Sequence, residues 1–246
     1  SSRSLAVFAD LVTALGPGEV ELGLRAESLR YDYDNRARDG NTRDDGSACG
    51  FGGCLFQRPA DRVDSFSRLA PKLSYRQPVG AGQGWLRLAS GFRFPQAGEL
   101  YRLQRGQAVA DLQPETLDML EAGWRRESER GQVEFVAYTA RKDNFIFRDA
   151  NGFNASDGRT THRGVELAFT RDVAEGWQLS GNASYAIQRY DFDRPLSAGE
   201  AIARGNDIDT APRWLADVRL VHANARIGRT EIEFAYQGAH FLDAGN

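Results

Sequence analysis

The chain has 246 residues, 41% of them hydrophobic and 26% charged, with a formal net charge of −3 and a mean hydropathy of −0.52. This balance offers no basic surplus for nucleic acid and no acidic tail, and the length suits one large domain or two small ones. No apolar run reaches the ~20 residues of a transmembrane helix, whereas a membrane β-barrel remains compatible because only alternate strand residues face lipid.

Alternation of apolar and polar residues, the mark of a strand with two unlike faces, recurs along the whole chain. The first strand, 3–14, includes LAVFADL and is apolar on both faces. In 19–34, Val20, Leu22, Leu24 and Ala26 alternate with Glu21, Gly23, Arg25 and Glu27. Strands 64–77 and 84–94 follow, the second running into Pro95, which cannot donate to a ladder and so marks the exit from the sheet. Segment 115–128 contains LDMLEAG, again apolar on both faces, and an amphipathic helix over 114–126 is the alternative there. Beyond 132–148, strand 161–173 sets Val165, Leu167 and Phe169 against Glu166 and Thr170. Strand 177–191 sets Trp177, Leu179, Ala183, Tyr185 and Ile187 against Gln178, Ser180, Asn182 and Gln188. Strands 213–223 and 229–242 complete ten, the last placing Ile232, Phe234 and Tyr236 opposite Glu231, Glu233 and Gln237.

The connections alternate in length. ALGPGE, PVGAGQG, ESERG, DVAEG and ANARIG are short and rich in turn-formers. Those at 35–63, 95–114, 149–160 and 192–212 are long and polar. Long loops gathered at one end fit an all-β, antiparallel transmembrane barrel, with short turns on one side of the membrane and long external loops on the other. A soluble β-sandwich gives no reason for that asymmetry. Trp85, Trp177 and Trp214, with Tyr31, Tyr33, Phe92, Phe94, Tyr185 and Tyr190, sit near strand ends, where interfacial aromatic girdles belong. The nine apolar residues Leu22, Leu24, Leu86, Val165, Leu167, Leu179, Val218, Ile232 and Phe234 are expected to face lipid. Arg25, Glu27, Arg87, Gln178, Asn182, Gln188, Arg219, Glu231 and Glu233 are expected to line a hydrated interior.

Several pieces, in order, resemble the barrel of TonB-dependent outer-membrane receptors. They are Pro71–Lys72, Gly91–Phe92–Arg93, Pro95, Glu99–Leu100–Tyr101, Pro114–Glu115 and Glu121–Ala122–Gly123, then Tyr138, Asp143, Phe145–Ile146, Gly164, Glu166 and Ala211–Pro212, spread over about 64–221. The resemblance implies about ten strands of a 22-stranded barrel that normally encloses an N-terminal plug. Nothing in 1–246 resembles that plug, so the chain is expected to be a fragment, part of one barrel domain. By resemblance the whole protein is a receptor of the cell outer membrane, embedded among lipid and lipopolysaccharide. It would take up a metal chelate, most often an iron–siderophore, energised by the TonB complex acting through the missing plug. A passive porin-like channel and a soluble β-sandwich binding module are the alternatives.

No catalytic set is legible, so an enzyme is not expected, and neither is a cofactor. His162, His222 and His240 lack metal-ligand spacing, and no nucleophile elbow or P-loop is present. DYDNRARDGNTRDDG at 32–46 has Ala37 where a calcium loop needs glycine, which favours a solvated external loop. Cys49 and Cys54 in CGFGGC are too far apart for a redox C-x-x-C pair and suit a disulfide across a glycine turn in an oxidising compartment. Tyr31, Tyr33, Arg36, Arg93, Tyr101, Arg102, Arg189 and Tyr190, all near long-loop ends, are the candidate ligand-binding residues. Guanidinium groups suit carboxylate or catecholate oxygens, and aromatic rings suit stacking.

Overall fold

The computed structural model describes residues 1–36, 47–48, 56–196, 199–226 and 228–246. In chain order the elements begin with β1 (Ser2–Leu15), β2 (Gly18–Tyr33), β3 (Phe56–Gln57), β4 (Arg62–Val79) and β5 (Gly82–Arg93). A short helix α1 (Ala97–Tyr101) and β6 (Leu103–Gln104) precede β7 (Glu115–Ser128), β8 (Gly131–Arg148), β9 (Asn154–Ala174) and β10 (Trp177–Tyr190). The rest are β11 (Arg194–Pro195), β12 (Ala201–Ile202), β13 (Trp214–Asn224) and β14 (Gly228–Gln237).

The ten long strands form one antiparallel meander in the order β1-β2-β4-β5-β7-β8-β9-β10-β13-β14. Tight turns join β1 to β2, β4 to β5, β7 to β8, β9 to β10 and β13 to β14, so every longer connection falls at the opposite end. The sheet is not closed, and β1 and β14 are its edges. The small pairs β3–β6 and β11–β12 both belong to the long connections.

Register separates two unlike faces. Leu11, Leu22, Leu73, Leu88 and Leu120 lie side by side across five strands. Phe135, Leu167, Ala183, Ala216 and Tyr236 continue the apolar face across the other five. All nine residues expected to face lipid are on it, and nothing among the described residues covers it: Ile232 and Phe234 are 66% and 67% exposed. On the other face Glu21 accepts from Lys72 at 2.6 Å, and Glu121 accepts from Arg87 at 3.3 Å and from the Trp85 indole at 2.8 Å. The long connections fold against this polar face, since Tyr31, Tyr33 and Phe66, which project from it, pack on Leu100, Tyr101, Leu103 and Leu112. The polar face is therefore the lumenal wall.

Cross-strand aromatic residues cover glycines here. A Cβ on Gly123 would lie 2.1 Å from the Trp85 ring, and one on Gly181 would lie 3.0 Å from Phe169; both pairs are directly opposed. Covering a glycine with a facing aromatic restores the packing that the missing side chain forfeits and pins the register.

Residues 115–128 are strand, as expected, and the helical alternative over 114–126 is not adopted: ladders to β5 and β8 on both sides override the helix propensity of Leu, Met, Glu and Ala. Two expected boundaries need correction. Strand β9 begins at Asn154 instead of 161, which shrinks the expected loop 149–160. There β8 bulges at Asn144 (φ 58°), and the shifted register lets Phe145 pair with Gly158 and Arg148 with Asn154. The last strand ends at Gln237 instead of 242: after one more bond in register, from the Gly238 N–H to the Trp214 carbonyl (2.8 Å), the chain leaves the sheet and the Phe241 carbonyl accepts from Thr210 of the 192–212 connection (2.8 Å). The aromatic residues also divide. Tyr185 and Trp214 face outward, whereas Tyr31, Tyr33 and Tyr190 face inward and Trp85 lines the lumen.

Candidate ligand mouth

The β4–β5 ladder ends at Lys72–Ala89, beside Pro71, which has no N–H to give. Above that point the upper half of β4 faces the 94–114 connection instead of a strand. Leu100, Ala110 and Leu112 approach Val63–Arg68 across a space of about 250 Å³. The connection is thus a strap laid into the sheet's upper, lumenal side.

Helix α1 starts where Gln96 donates its N–H to the Glu99 carboxylate (2.7 Å), part of a capping box. The same carboxylate receives the Arg93 guanidinium at 3.0 Å. Arg93 reaches on to Glu115 at 2.8 Å. Glu115 is only 5% exposed and also accepts the Ile146 N–H at 2.9 Å, so one arginine ties α1 to the base of β7 and, through Glu115, to β8. Fully buried Pro95 keeps its carbonyl available to the Tyr31 hydroxyl at 3.2 Å.

Tyr101 is 7% exposed. Its ring stacks on Tyr33 (4.2 Å, 5°) and meets Tyr31 edge-on (5.9 Å). Its hydroxyl donates to Asp64 at 2.8 Å. Burial, reinforced by that carboxylate, raises the Tyr101 pKa above the ordinary phenol value, so the group is a donor at neutral pH. At the far end of the strap, Asn154 donates to the Glu99 carbonyl (2.7 Å) and Gln107 to the Asn154 carbonyl (2.9 Å). Gln57 adds a bond to the Gln107 carbonyl at 2.7 Å.

Of the eight candidate ligand residues, Tyr31, Tyr33, Arg93 and Tyr101 are brought together, and the strap engages their rings, hydroxyls or guanidinium. Arg102 is exposed at the end of α1. Arg36 pairs with Asp34 at 3.0 Å and keeps its side chain 90% exposed. Tyr190 belongs to a second inward cluster with Phe192, Ile202 and Ala244, and its hydroxyl donates to Asp209 at 2.5 Å. Arg189, its neighbour on β10, necessarily points to the other side of the sheet, toward Asp207 at 3.4 Å. Asp64, Gln107 and Asn154 were not singled out in the sequence and carry no motif that would have marked them. Glu115 lies within the Pro114–Glu115 piece of the resemblance, whereas Gln96 is not one of the Ser, Thr, Asp or Asn residues that mark a helix start in sequence. Cys49 and Cys54 lie outside the described residues. No group of three or more metal-ligating side chains occurs among the described residues.

The profile of the family described as "TonB dependent receptor-like, beta-barrel" matches residues 1–246. The chain belongs to this family. Among solved structures, this TonB-dependent receptor barrel is similar to the ferric yersiniabactin uptake receptor FyuA from Yersinia pestis (18% identity, TM-score 0.70), matched over 100% of this chain and 35% of that one. The siderophore receptor PiuA from Acinetobacter baumannii matches at 12% identity and TM-score 0.71, over 100% of this chain and 34% of that one. The hemophore receptor HasR from Serratia marcescens, solved with its hemophore HasA and heme, matches at 18% identity and TM-score 0.67, over 97% and 44%. The receptor barrel described here thus spans about a third to under half of the length of these structures. By sequence, no curated protein matches.

Proposed function

We propose that the chain forms part of the barrel domain of an outer-membrane receptor that takes up a metal chelate, an iron–siderophore first, using energy delivered by a TonB complex. The observation that carries this reading is the pairing of a fully uncovered apolar face with a charged lumenal wall whose upper end is roofed by an ordered strap. Such a sheet suits lipid on one side and a hydrated, occluded passage on the other. The family, and neighbours that include ferric-siderophore, copper and hemophore receptors, support a metal or chelate cargo.

In this reading the plug and its TonB-engaging segment belong to other parts of the receptor. The chelate meets Arg36 and Arg102 at the exposed rim, with Tyr31, Tyr33, Tyr101 and Arg93 holding the roof that shapes the mouth, and Tyr190 holding the separate cluster under the 192–212 connection. The test is uptake of ⁵⁵Fe-siderophore, iron–heme and copper by cells carrying the full-length receptor, with and without a protonophore. Energised uptake of one ferric chelate, lost on collapse of the proton gradient, is expected. Uptake indifferent to the gradient indicates a passive channel and refutes the proposal.

A further inference from the structure

The 94–114 strap leaves and rejoins the sheet at one place, because Arg93 and Glu115 are directly opposed on β5 and β7. Buried prolines flank this foot, Pro95 on the way out and Pro114 on the way back. A proline fixes its own φ and restricts the residue before it, so the two set the direction in which the strap departs. Asn144 holds the Pro114 carbonyl at 3.1 Å, and Arg93 holds both Glu99 and Glu115. Residues 103–107 are therefore the far tip of a loop whose two ends are anchored together.

The tip is fastened by neutral amides, and to other connections instead of to the foot. There β6 pairs with β3, in the connection that follows β2. Gln57 extends that pairing with its side chain, donating to the Gln107 carbonyl at 2.7 Å and accepting from the Gly106 N–H at 3.3 Å. The Gln107 side chain repeats the arrangement one segment further on. It donates to the Asn154 carbonyl at 2.9 Å and accepts from the Asn154 N–H at 3.0 Å. A primary amide carries donor and acceptor side by side, so each glutamine engages a neighbouring main chain much as a strand would. Asn154 closes the set, its side chain donating to the Glu99 carbonyl at 2.7 Å. Gln107 is buried, and the turn before Asn154 packs so closely that a Cβ on Gly106 would lie 3.3 Å from the Phe153 ring. Asn35 donates to the Pro59 carbonyl at 2.9 Å, which ties that residue to the end of β2 and leaves 56–57 with the strap tip.

We propose that 56–57, the 94–114 strap and the 149–154 turn form one lid that opens in a single step, with Gln107 coupling its three parts. Separating any one part strands buried donors and acceptors on the others, and an unmet buried polar group costs more than its bond contributes when made. The three parts therefore open together instead of in turn. The mouth then has a two-state entrance: a chelate that favours one arrangement at any of these connections shifts all three. That use of the lid rests on the proposed receptor function, whereas the coupling itself needs no ligand.

Peptide-resolved hydrogen exchange on the detergent-solubilised full-length receptor tests the coupling, because amides of one opening unit share one opening equilibrium and one dependence on urea. Gln107→Ala removes the side-chain bonds to Asn154, and Gln57→Ala removes those to 106–107. Exchange at 56–57, 97–107 and 149–154 is expected to rise by a common factor in each variant, about tenfold for Gln107→Ala and about fivefold for Gln57→Ala. Residues 201–209, beside the separate Tyr190–Phe192 cluster, hold steady. The deciding segments are those to which the altered side chain makes no hydrogen bond: 56–57 in Gln107→Ala and 149–154 in Gln57→Ala. If these exchange as in the unaltered receptor while the variants stay folded and heat-modifiable, the parts open independently and the lid is overturned. Three different urea dependences in the unaltered receptor overturn it without any variant. Chelate uptake is scored separately. A receptor whose three segments open together but which transports nothing contradicts the proposed function alone, and one that transports while they open independently contradicts the lid alone.

Discussion

Removing the Tyr101 hydroxyl should open the strap without disturbing the sheet. In Tyr101→Phe the ring keeps its stack on Tyr33 and its edge contact with Tyr31, and only the 2.8 Å bond to Asp64 is lost. A hydrogen bond to a charged group is worth ~1.5–3 kcal/mol. The low end applies here because Asp64 retains the Arg62 guanidinium, whose Nε lies 2.8 Å away. About 1.4 kcal/mol is a tenfold change in an equilibrium, so the open population of the strap should rise about tenfold. Tyr101→Ala also removes a buried ring, for a total of ~3–5 kcal/mol and a rise of roughly a hundredfold to a few thousandfold. Hydrogen exchange in the assembled receptor reads this directly, because amides in a locally opening unit exchange in proportion to its open fraction. The amides of 97–107 should speed up by these factors while those of β7 and β8 hold steady. Unchanged exchange in Tyr101→Phe would show that Asp64 does not hold the strap, and parallel loosening of the strands would show that strap and sheet open as one unit.

Leu167→Arg, in the middle of the uncovered apolar face, should cost ~2–4 kcal/mol if at mid-membrane and impair assembly; normal surface expression and heat resistance would argue against a lipid-facing Leu167. Gly123→Ala puts a Cβ within 2.1–2.7 Å of the Trp85 ring, which must swing away from its 2.8 Å bond to Glu121. A loss of ~1–3 kcal/mol should appear as a lower midpoint of thermal unfolding on semi-native gels. Glu115→Gln removes the buried charge shared by Arg93 and Lys142 while sparing the Ile146 contact. The strap should then become more sensitive to trypsin at Arg102 and Arg105. Alkylation of the unreduced receptor tests the Cys49–Cys54 bridge: neither thiol should label before reduction.

Much of the architecture was written in the residue pattern. Strict two-residue alternation in 19–34, 161–173 and 177–191 sorts side chains between two faces whatever the neighbours, because successive Cβ atoms of a strand must point oppositely. The lipid-facing and lumenal sets followed from that rule alone. So did the placement of the longer connections at one end, since an antiparallel meander with alternating short turns has no other arrangement.

What only the tertiary structure decided depends on partners distant in sequence. Whether 115–128 is helix or strand was settled by ladders on both sides, because its apolar residues satisfy either periodicity locally. Where β9 begins depended on a bulge in β8 at Asn144, which changes the register of the strand it pairs with. The destination of the candidate ligand residues was the least legible of all. Tyr101 meets Tyr33 and Asp64 from 68 and 37 positions away, and a tyrosine near a strand end reads the same whether its hydroxyl awaits a ligand or is spent on a buried aspartate. For Arg189 and Tyr190 the alternation rule alone put the two on opposite faces. Which face belonged to lipid at that height was fixed by the register linking Val165, Tyr185 and Trp214 across three strands, a relation no local stretch of sequence contains.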